Sequence, residues 1–377
     1  MIIRDRSVIT NKHNLESLYT FKDFPVFLGC VEDTLKPKDD LRMDMSWAIC
    51  PESGIIQLDK LVPLDILYGA QHFDGTGPSW DHYYKDFTNY IIKQSPKNIL
   101  EIGGGLGILA EIFIKQTHKT MWTLIEPNSS FKEVKRIKII KTFFDNNFKS
   151  NISYDTIVHS QVLEHMYYPD DFFKTTSNFL KPGNKMIFGY PNLHLYLNKK
   201  YTNAINFEHT IFLTDYFVDR LLIKNGFDII DKTFYKEHIF CTAKKLKIYK
   251  ECPILDNKYE EYKTLFFDFI RYYKELVLKM NQKIDSFSGD IFVFGAHIFS
   301  QYLFEFGLKK DKIVAILDNS KLKQNKRLYG TPFIVESPEI LKSHNNCAVV
   351  LKVASYRNEI IKQIKEINPT TEILEGL

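Results

Sequence analysis

Cysteine is scarce in this chain, and each of its cysteines stands alone. The five thiols (Cys30, Cys50, Cys241, Cys252, Cys347) are odd in number, far apart and without a Cys-x-x-Cys pair. Neither a disulfide framework nor a four-ligand zinc centre is encoded, and reduced, mostly buried thiols are expected. An excess of charge is also missing. With 50 basic against 46 acidic residues the net charge is +4, too little to call for a nucleic-acid partner, and Lys199–Lys200 and Lys244–Lys245 read as solvated faces. No apolar run reaches the roughly 18 residues of a membrane span, and the opening MIIRDRSVIT is broken by charges where a secretory signal would be apolar. A cytoplasmic location away from membranes is the expectation. What remains is a globular composition, 44% hydrophobic and 25% charged over 377 residues, long enough for two or three domains.

The most informative stretch is 98–115, NILEIGGGLGILAEIFIK. It reads as a short buried strand over 99–102, a turn carrying Gly103, Gly104, Gly105 and Gly107, and a helix with Leu109, Ile112 and Phe113 on one face. Four glycines in five positions let the backbone take positive φ and approach a ligand closely, and the helix that follows offers unpaired N–H groups. Two cofactor classes compete for this turn. Gly105, Gly107 and Ala110 satisfy a GxGxxA dinucleotide fingerprint, and Glu126 falls at the spacing of about 20 residues where an acid meets ribose. Glu101 gives a different pattern, ExGxGxG. A carboxylate there can receive an ammonium and would repel a pyrophosphate.

That ExGxGxG, formed by Glu101, Gly103, Gly105 and Gly107, resembles the first motif of class I S-adenosylmethionine-dependent methyltransferases. The second strand, over 121–125, closes on Glu126, which is assigned both ribose hydroxyls. A third strand is expected to end at Phe143, Phe144 and Asp145, with Asp145 toward the adenine amino group. A fourth strand, over 156–159, runs into SQVLEHMYYPDDFFKTTSNFLKPGNKMIFGYPN, which resembles the second methyltransferase block. The resemblance puts Ser160 and Gln161 beside the methionine part of the cofactor and Glu164 and His165 on the first turn of the next helix. Adjacent residues do not share a helix face, and His165 reads as a hydrogen-bonding spacer.

A narrower resemblance runs along most of the chain. The segment WAICPESGIIQLDKLVPLDILYGAQHFDGTGPSWDHYY is similar to the N-terminal module of the C-methyltransferases that act on nucleotide-linked deoxysugars, through Cys50, Gly54, Gln57, Leu58, Ser79, Trp80 and His82. Ser53 stands in place of the second cysteine, which implies a module held by packing without metal. The family's catalytic tyrosine falls near Phe73, which has no hydroxyl. AINFEHTIFLT, residues 204–214, resembles the same family's segment over the reacting carbon. Glu208 and His209 match, Asn206 and Phe207 replace a Tyr and a His, and a later HGG element survives as His238. For carbon methylation the nucleophile is an enolate, made by a base that removes a proton α to a ketone, and His209 suits that task with Glu208 fixing its tautomer or holding a sugar hydroxyl.

Beyond residue 250, apolar positions from Tyr262 to Ile284 keep three-and-four spacing, predicting one long helix between domains. Then a strand, a turn at Gly295, a helix and a strand ending at Asp318 resemble the C-terminal domain of the sugar C-methyltransferases. With one glycine left in that turn, a structural and acceptor-shaping role is expected there.

The resulting expectation is an α/β protein: a class I methyltransferase, Rossmann-like doubly wound sheet with a small loop-rich N-terminal module and a second small α/β domain. The divisions are 1–85, 86–250 for the cofactor-binding core, 251–288 for the linking helix and 289–377. The implied enzyme methylates a small-molecule acceptor, a nucleotide-linked sugar or polysaccharide precursor, at carbon. O- or N-methylation of a glycan or nucleotide conjugate, and a non-catalytic nucleotide-binding protein, are the alternatives.

Overall fold

A computed structural model describes residues 1–32, 36–68, 78–353 and 356–376. Phe73 and the Ser79 side chain lie outside what it describes. The strand Asn98–Ile102 is paired in parallel with Met121–Ile125 on one side and Thr156–Ser160 on the other. Extending outward, the seven-stranded order is Phe227–Tyr235, His238–Lys245, Lys185–Pro191, Thr156–Ser160, Asn98–Ile102, Met121–Ile125, Ile137–Ile140, with His238–Lys245 antiparallel to both its neighbours. This is the class I methyltransferase arrangement. Chain order reverses between Asn98–Ile102 and Thr156–Ser160, so the crevice for a ligand opens at the carboxyl ends of these two strands.

The third strand corrects the sequence expectation. It is Ile137–Ile140, and residues 143–145 follow it in a surface turn where Phe143 is 68% exposed. Two aromatic residues in a row looked like a strand end, yet only Phe144 packs inward, against Phe148 and Phe179. Lys245 is a second correction. It is 6% exposed, its ammonium donating to Ser177 and Tyr249 and lying 4.3 Å from the Tyr249 ring centre. Pairing with hydroxyls and an aromatic face lets a cation leave water.

The leading segment is more ordered than its turn-rich sequence implies. Glu16–Pro25, Arg42–Ile49 and Ile56–Leu58 form an antiparallel sheet, and the helix Pro78–Lys93 crosses the expected division at 85. This sheet clamps the 208–214 loop, through Leu58 N–H to Thr210 O (2.9 Å) and Phe212 N–H to Ile56 O (2.8 Å). Arg4, 3% exposed, completes the clamp by donating to Leu58 O, Tyr167 O and Thr210 O at 2.9, 3.0 and 2.6 Å.

The helix Tyr259–Ser286 buries the predicted stripe, Tyr262, Leu265, Phe266, Phe269, Ile270, Tyr273, Leu276, Val277, Met280 and Ile284. Each such burial contributes roughly 1.5–3 kcal/mol. A five-stranded parallel sheet follows, ordered Val335–Glu336, Ile313–Leu317, Asp290–Phe294, Cys347–Leu351, Glu372–Leu374. A buried bidentate ion pair ties it to the leading segment, Arg327 meeting both oxygens of Asp40 at 2.7 Å.

Candidate active site

The glycine turn leaves its strand with Gly103, Gly105 and Gly107 all at positive φ (70°, 49° and 71°). A Cβ on Gly103 would lie 2.7 Å from Val162, and one on Gly107 2.8 Å from Phe131. The turn therefore touches the segment after the fourth strand, and glycine is demanded by both conformation and space. Glu126 reaches back to it, its carboxylate accepting from Gly105 N–H at 3.4 Å and Asn128 N–H at 3.3 Å. Both contacts are long, which leaves the carboxylate capacity for the hydroxyls of a ribose. Glu101 lies beneath the turn, 2% exposed, with one oxygen accepting from the Trp122 indole at 2.7 Å. Burial pushes its carboxyl up to about 7, and an arriving cation would favour the ionised form. An open cradle with one buried carboxyl and one loosely held acid fits the nucleoside and ammonium of S-adenosylmethionine. Asp145 stands apart in its exposed turn, accepting from Asn147 N–H at 2.8 Å.

Ser160 and Gln161 end the fourth strand on the far side of the crevice. Gln161 is held at φ 53°, its N–H donating to Gly189 O at 2.8 Å. The Tyr83 hydroxyl, delivered by the helix Pro78–Lys93, joins Ser160 Oγ at 2.8 Å and accepts from Gln161 Nε2 at 2.9 Å. His238 Nδ1 is 3.3 Å from the same amide, and its ring lies 4.7 Å from that of Tyr83. The sequence reading missed Tyr83, although the apolar spacing of Tyr83, Phe87, Tyr90 and Ile91 would have placed it on the inward helix face.

Glu208 and His209 lie on the clamped loop. Asn206, 2% exposed, accepts both their backbone N–H groups, at 2.8 and 2.9 Å. His209 Nδ1 is 2.5 Å from the carbonyl of Asn203. A carbonyl only accepts, so Nδ1 carries the hydrogen and Nε2 the lone pair. Desolvation holds the ring neutral, its pKa pulled down to about 4.

Glu164 and His165 correct the helix-face argument. They sit on a single 3-10 turn, Leu163–His165, before the helix that starts at Pro169, and both point toward His209. The rings of His165 and His209 are 5.0 Å apart, and one donor atom each of Glu164, His165 and His209 lie within 4.8 Å of one another. Tyr68, also missed, places its hydroxyl 3.0 Å from His165 Nδ1. Burial drives the Glu164 carboxyl up to about 8. Carboxylate and imidazole donors suit a transition metal as well as proton transfer.

In the C-terminal unit the turn is closed. Gly295 (φ 105°) has the His297 ring against it, with Nε2 2.3 Å from where a Cβ would stand. Asp318 accepts from Ala296 N–H and Ser320 N–H, both at 2.8 Å.

Residues 79–232 match the family model described as a methyltransferase domain, and residues 234–372 match that of a C-methyltransferase C-terminal domain. No curated protein matches the sequence. Similar solved structures include an O-methyltransferase family protein from Burkholderia thailandensis (7% identity, 44% of this chain and 56% of that one, TM-score 0.38). Human N-acetylserotonin methyltransferase with S-adenosylmethionine is another (18%, 45% and 53%, 0.39), and the N-methyltransferase NodS from Bradyrhizobium japonicum WM9 a third (14%, 44% and 96%, 0.34). The matched region spans little more than half of the first two. Residues 79–232 and 234–372 are thus similar, in succession, to a methyltransferase domain and to a C-methyltransferase C-terminal domain, the first built on the seven-stranded sheet described above.

Proposed function

We propose that the protein methylates a carbon α to the ketone of a nucleotide-linked sugar or related polysaccharide precursor, with His209 as the base. The observation that carries this reading is the tautomer of His209. Its Nδ1–H is committed to Asn203 O, which leaves the basic lone pair on Nε2, in a ring 5.0 Å from that of His165. When bound, S-adenosylmethionine supplies an electrophilic methyl group. Gly103, Gly105, Gly107 and Glu126 would hold its nucleoside, Glu101 its ammonium, and Ser160 and Gln161 its methionine part, with Asp145 toward the adenine. The rest falls to the acceptor side. Nε2 takes the α proton, Glu208 holds a sugar hydroxyl, and the Arg4 clamp keeps the loop in place.

A hydroxyl acceptor is the second reading, and the low basicity of His209 favours it. A hydroxyl sheds its proton only as the new bond forms, so a weak base suffices there. The discriminating experiment incubates 4-keto nucleotide sugars with the protein in D2O without methyl donor. Deuterium uptake at the α carbon, lost in His209→Gln by at least about 100-fold, supports carbon methylation. Turnover without exchange rejects it in favour of oxygen.

A further inference from the structure

We infer that Glu164 is the acid partner of His209, a neutral carboxyl that hydrogen-bonds the acceptor's ketone oxygen and gives it a proton as the α carbon loses one. The inference rests on the functional reading above and adds to it a second catalytic residue. Glu164 is 4% exposed, and its Oε2 has no hydrogen-bond partner among the described residues. The turn Leu163–His165 aims this carboxyl at the ring of His209. A buried, unpartnered carboxyl beside a catalytic base has one oxygen free for a ligand.

The surroundings decide its protonation. Leu163, Tyr190, Pro191, Leu193 and Leu213 pack around it. The titratable groups facing it are Tyr68, Tyr83 and Tyr196 from three helical segments, His165 from its own turn, and His209 with Glu208 from the clamped loop. The tyrosines are held neutral by burial, the histidines are neutral, and Glu208 is the wrong sign to help a second carboxylate. With no cation facing it among the described residues, the carboxyl keeps its proton at neutral pH, its pKa raised to about 8 while that of His209 falls to about 4. Opposite shifts in neighbouring groups assign acid and base.

The step balances. The C–H bond breaks, its proton goes to His209 Nε2 and its electron pair forms the C=C bond. The carbonyl π pair moves to oxygen, which takes the Glu164 proton. Two neutral groups become imidazolium and carboxylate beside a neutral enol, and this pair forms in a site of low dielectric, where its attraction is large. A hydrogen bond to the ketone makes the α proton more acidic, so that a base as weak as His209 is enough.

A metal is the competing occupant of these atoms. The Tyr68 hydroxyl meets His165 Nδ1, and the Glu208 backbone also engages its ring, so a third ligand is available only by breaking one of these contacts.

The test is carboxyl 13C NMR of the full-length protein with labelled glutamate, titrated from pH 5 to 9, on wild type, Glu164→Gln and Glu101→Gln. Two carboxyls should titrate at or above neutrality, the higher absent from Glu164→Gln and the lower from Glu101→Gln. If Glu164→Gln fails to fold, the wild type and Glu101→Gln still decide, since no remaining carboxyl above neutrality overturns the inference. In the deuterium-exchange assay, Glu164→Gln should lower the rate about 100-fold and abolish the alkaline limb near pH 8. An unchanged rate overturns the inference and leaves the His209 reading standing. Absence of exchange in wild type overturns carbon methylation, and the acid role with it, even where the carboxyl keeps its proton. Stoichiometric zinc binding by wild type, lost in Glu164→Gln, makes the cluster a metal site and overturns the inference.

Discussion

The chain builds the strand, glycine turn, helix, strand, acid unit twice and leaves only the first one open. At Gly103–Gly107 three glycines at positive φ let the turn pack against Val162 and Phe131, and Glu126 makes two long contacts of 3.3 and 3.4 Å. At Gly295 the His297 ring fills the space over the turn, and Asp318 closes it with two 2.8 Å bonds to backbone N–H groups. The acid that ends the second strand is thus loosely held in one unit, as the proposed ribose ligand would be, and a structural cap in the other. The same motif marks either, and the hydrogen-bond lengths separate them.

Exchanging the two acids for alanine should break the comparison most visibly. If Glu126 holds the ribose as proposed, Glu126→Ala should weaken S-adenosylhomocysteine binding about 100-fold in calorimetry, with little change in thermal stability. Asp318→Ala should do the reverse. It strands the N–H groups of Ala296 and Ser320 and should cost about 2–4 kcal/mol of stability with the nucleoside affinity intact. Equal losses of affinity in both variants would mean that the second unit contributes to the cofactor site.

What could be read from the sequence follows from how local each signal is. The glycine turn and the stripe of the helix Tyr259–Ser286 are periodic within their own segments, and both stand where the spacing places them. Ser160 and Gln161 were found through a strand end. Their partner Tyr83 was not, because the contact joins residues 77 and 78 positions apart. Arg4 and Tyr68 were missed for the same reason. Arg4 acts on carbonyls up to 206 residues away, and no local pattern distinguishes an arginine that donates to carbonyls from one on the surface. Glu164 and His165 were placed on the first turn of an α-helix where the chain makes a 3-10 turn.

Acidification should sharpen the contrast between the two units next. Burial lowers His159 to about 3, and His165, His209 and His238 to between about 3 and 4, all in the methyltransferase core, against His297 at about 4 in the second unit. A histidine whose folded pKa is depressed binds more protons when unfolded. Its stabilising contribution is therefore complete above the unfolded value of about 6.5 and is lost as pH falls toward the folded pKa. Stability in urea should decline between pH 6.5 and 4 by roughly 1.4 kcal/mol per pH unit for each such histidine, the core ahead of the second unit. His159 has no hydrogen-bond partner on either nitrogen among the described residues and stacks on Phe188 at 4.8 Å. His159→Phe should flatten the slope by one proton. A slope unchanged in that variant would place the acid sensitivity elsewhere.

The smallest effect concerns a lysine at the closed turn. Lys323 donates to Ala296 O at 3.0 Å and lies 3.8 Å from Asp318, with 30% of its side chain exposed. An ion pair so open to water contributes less than about 1 kcal/mol, so Lys323→Met should lower stability by no more than that, and the difference should shrink in high salt. The nucleotide question has its own readout. If the turn is closed by His297 and Asp318 and Lys323 only decorates it, neither wild type nor Lys323→Met should bind NADH in a fluorescence titration. If the lysine instead marks a phosphate subsite, wild type should bind NADH and the variant should lose it, and the contrast between an open and a closed turn would give way to two cofactor sites.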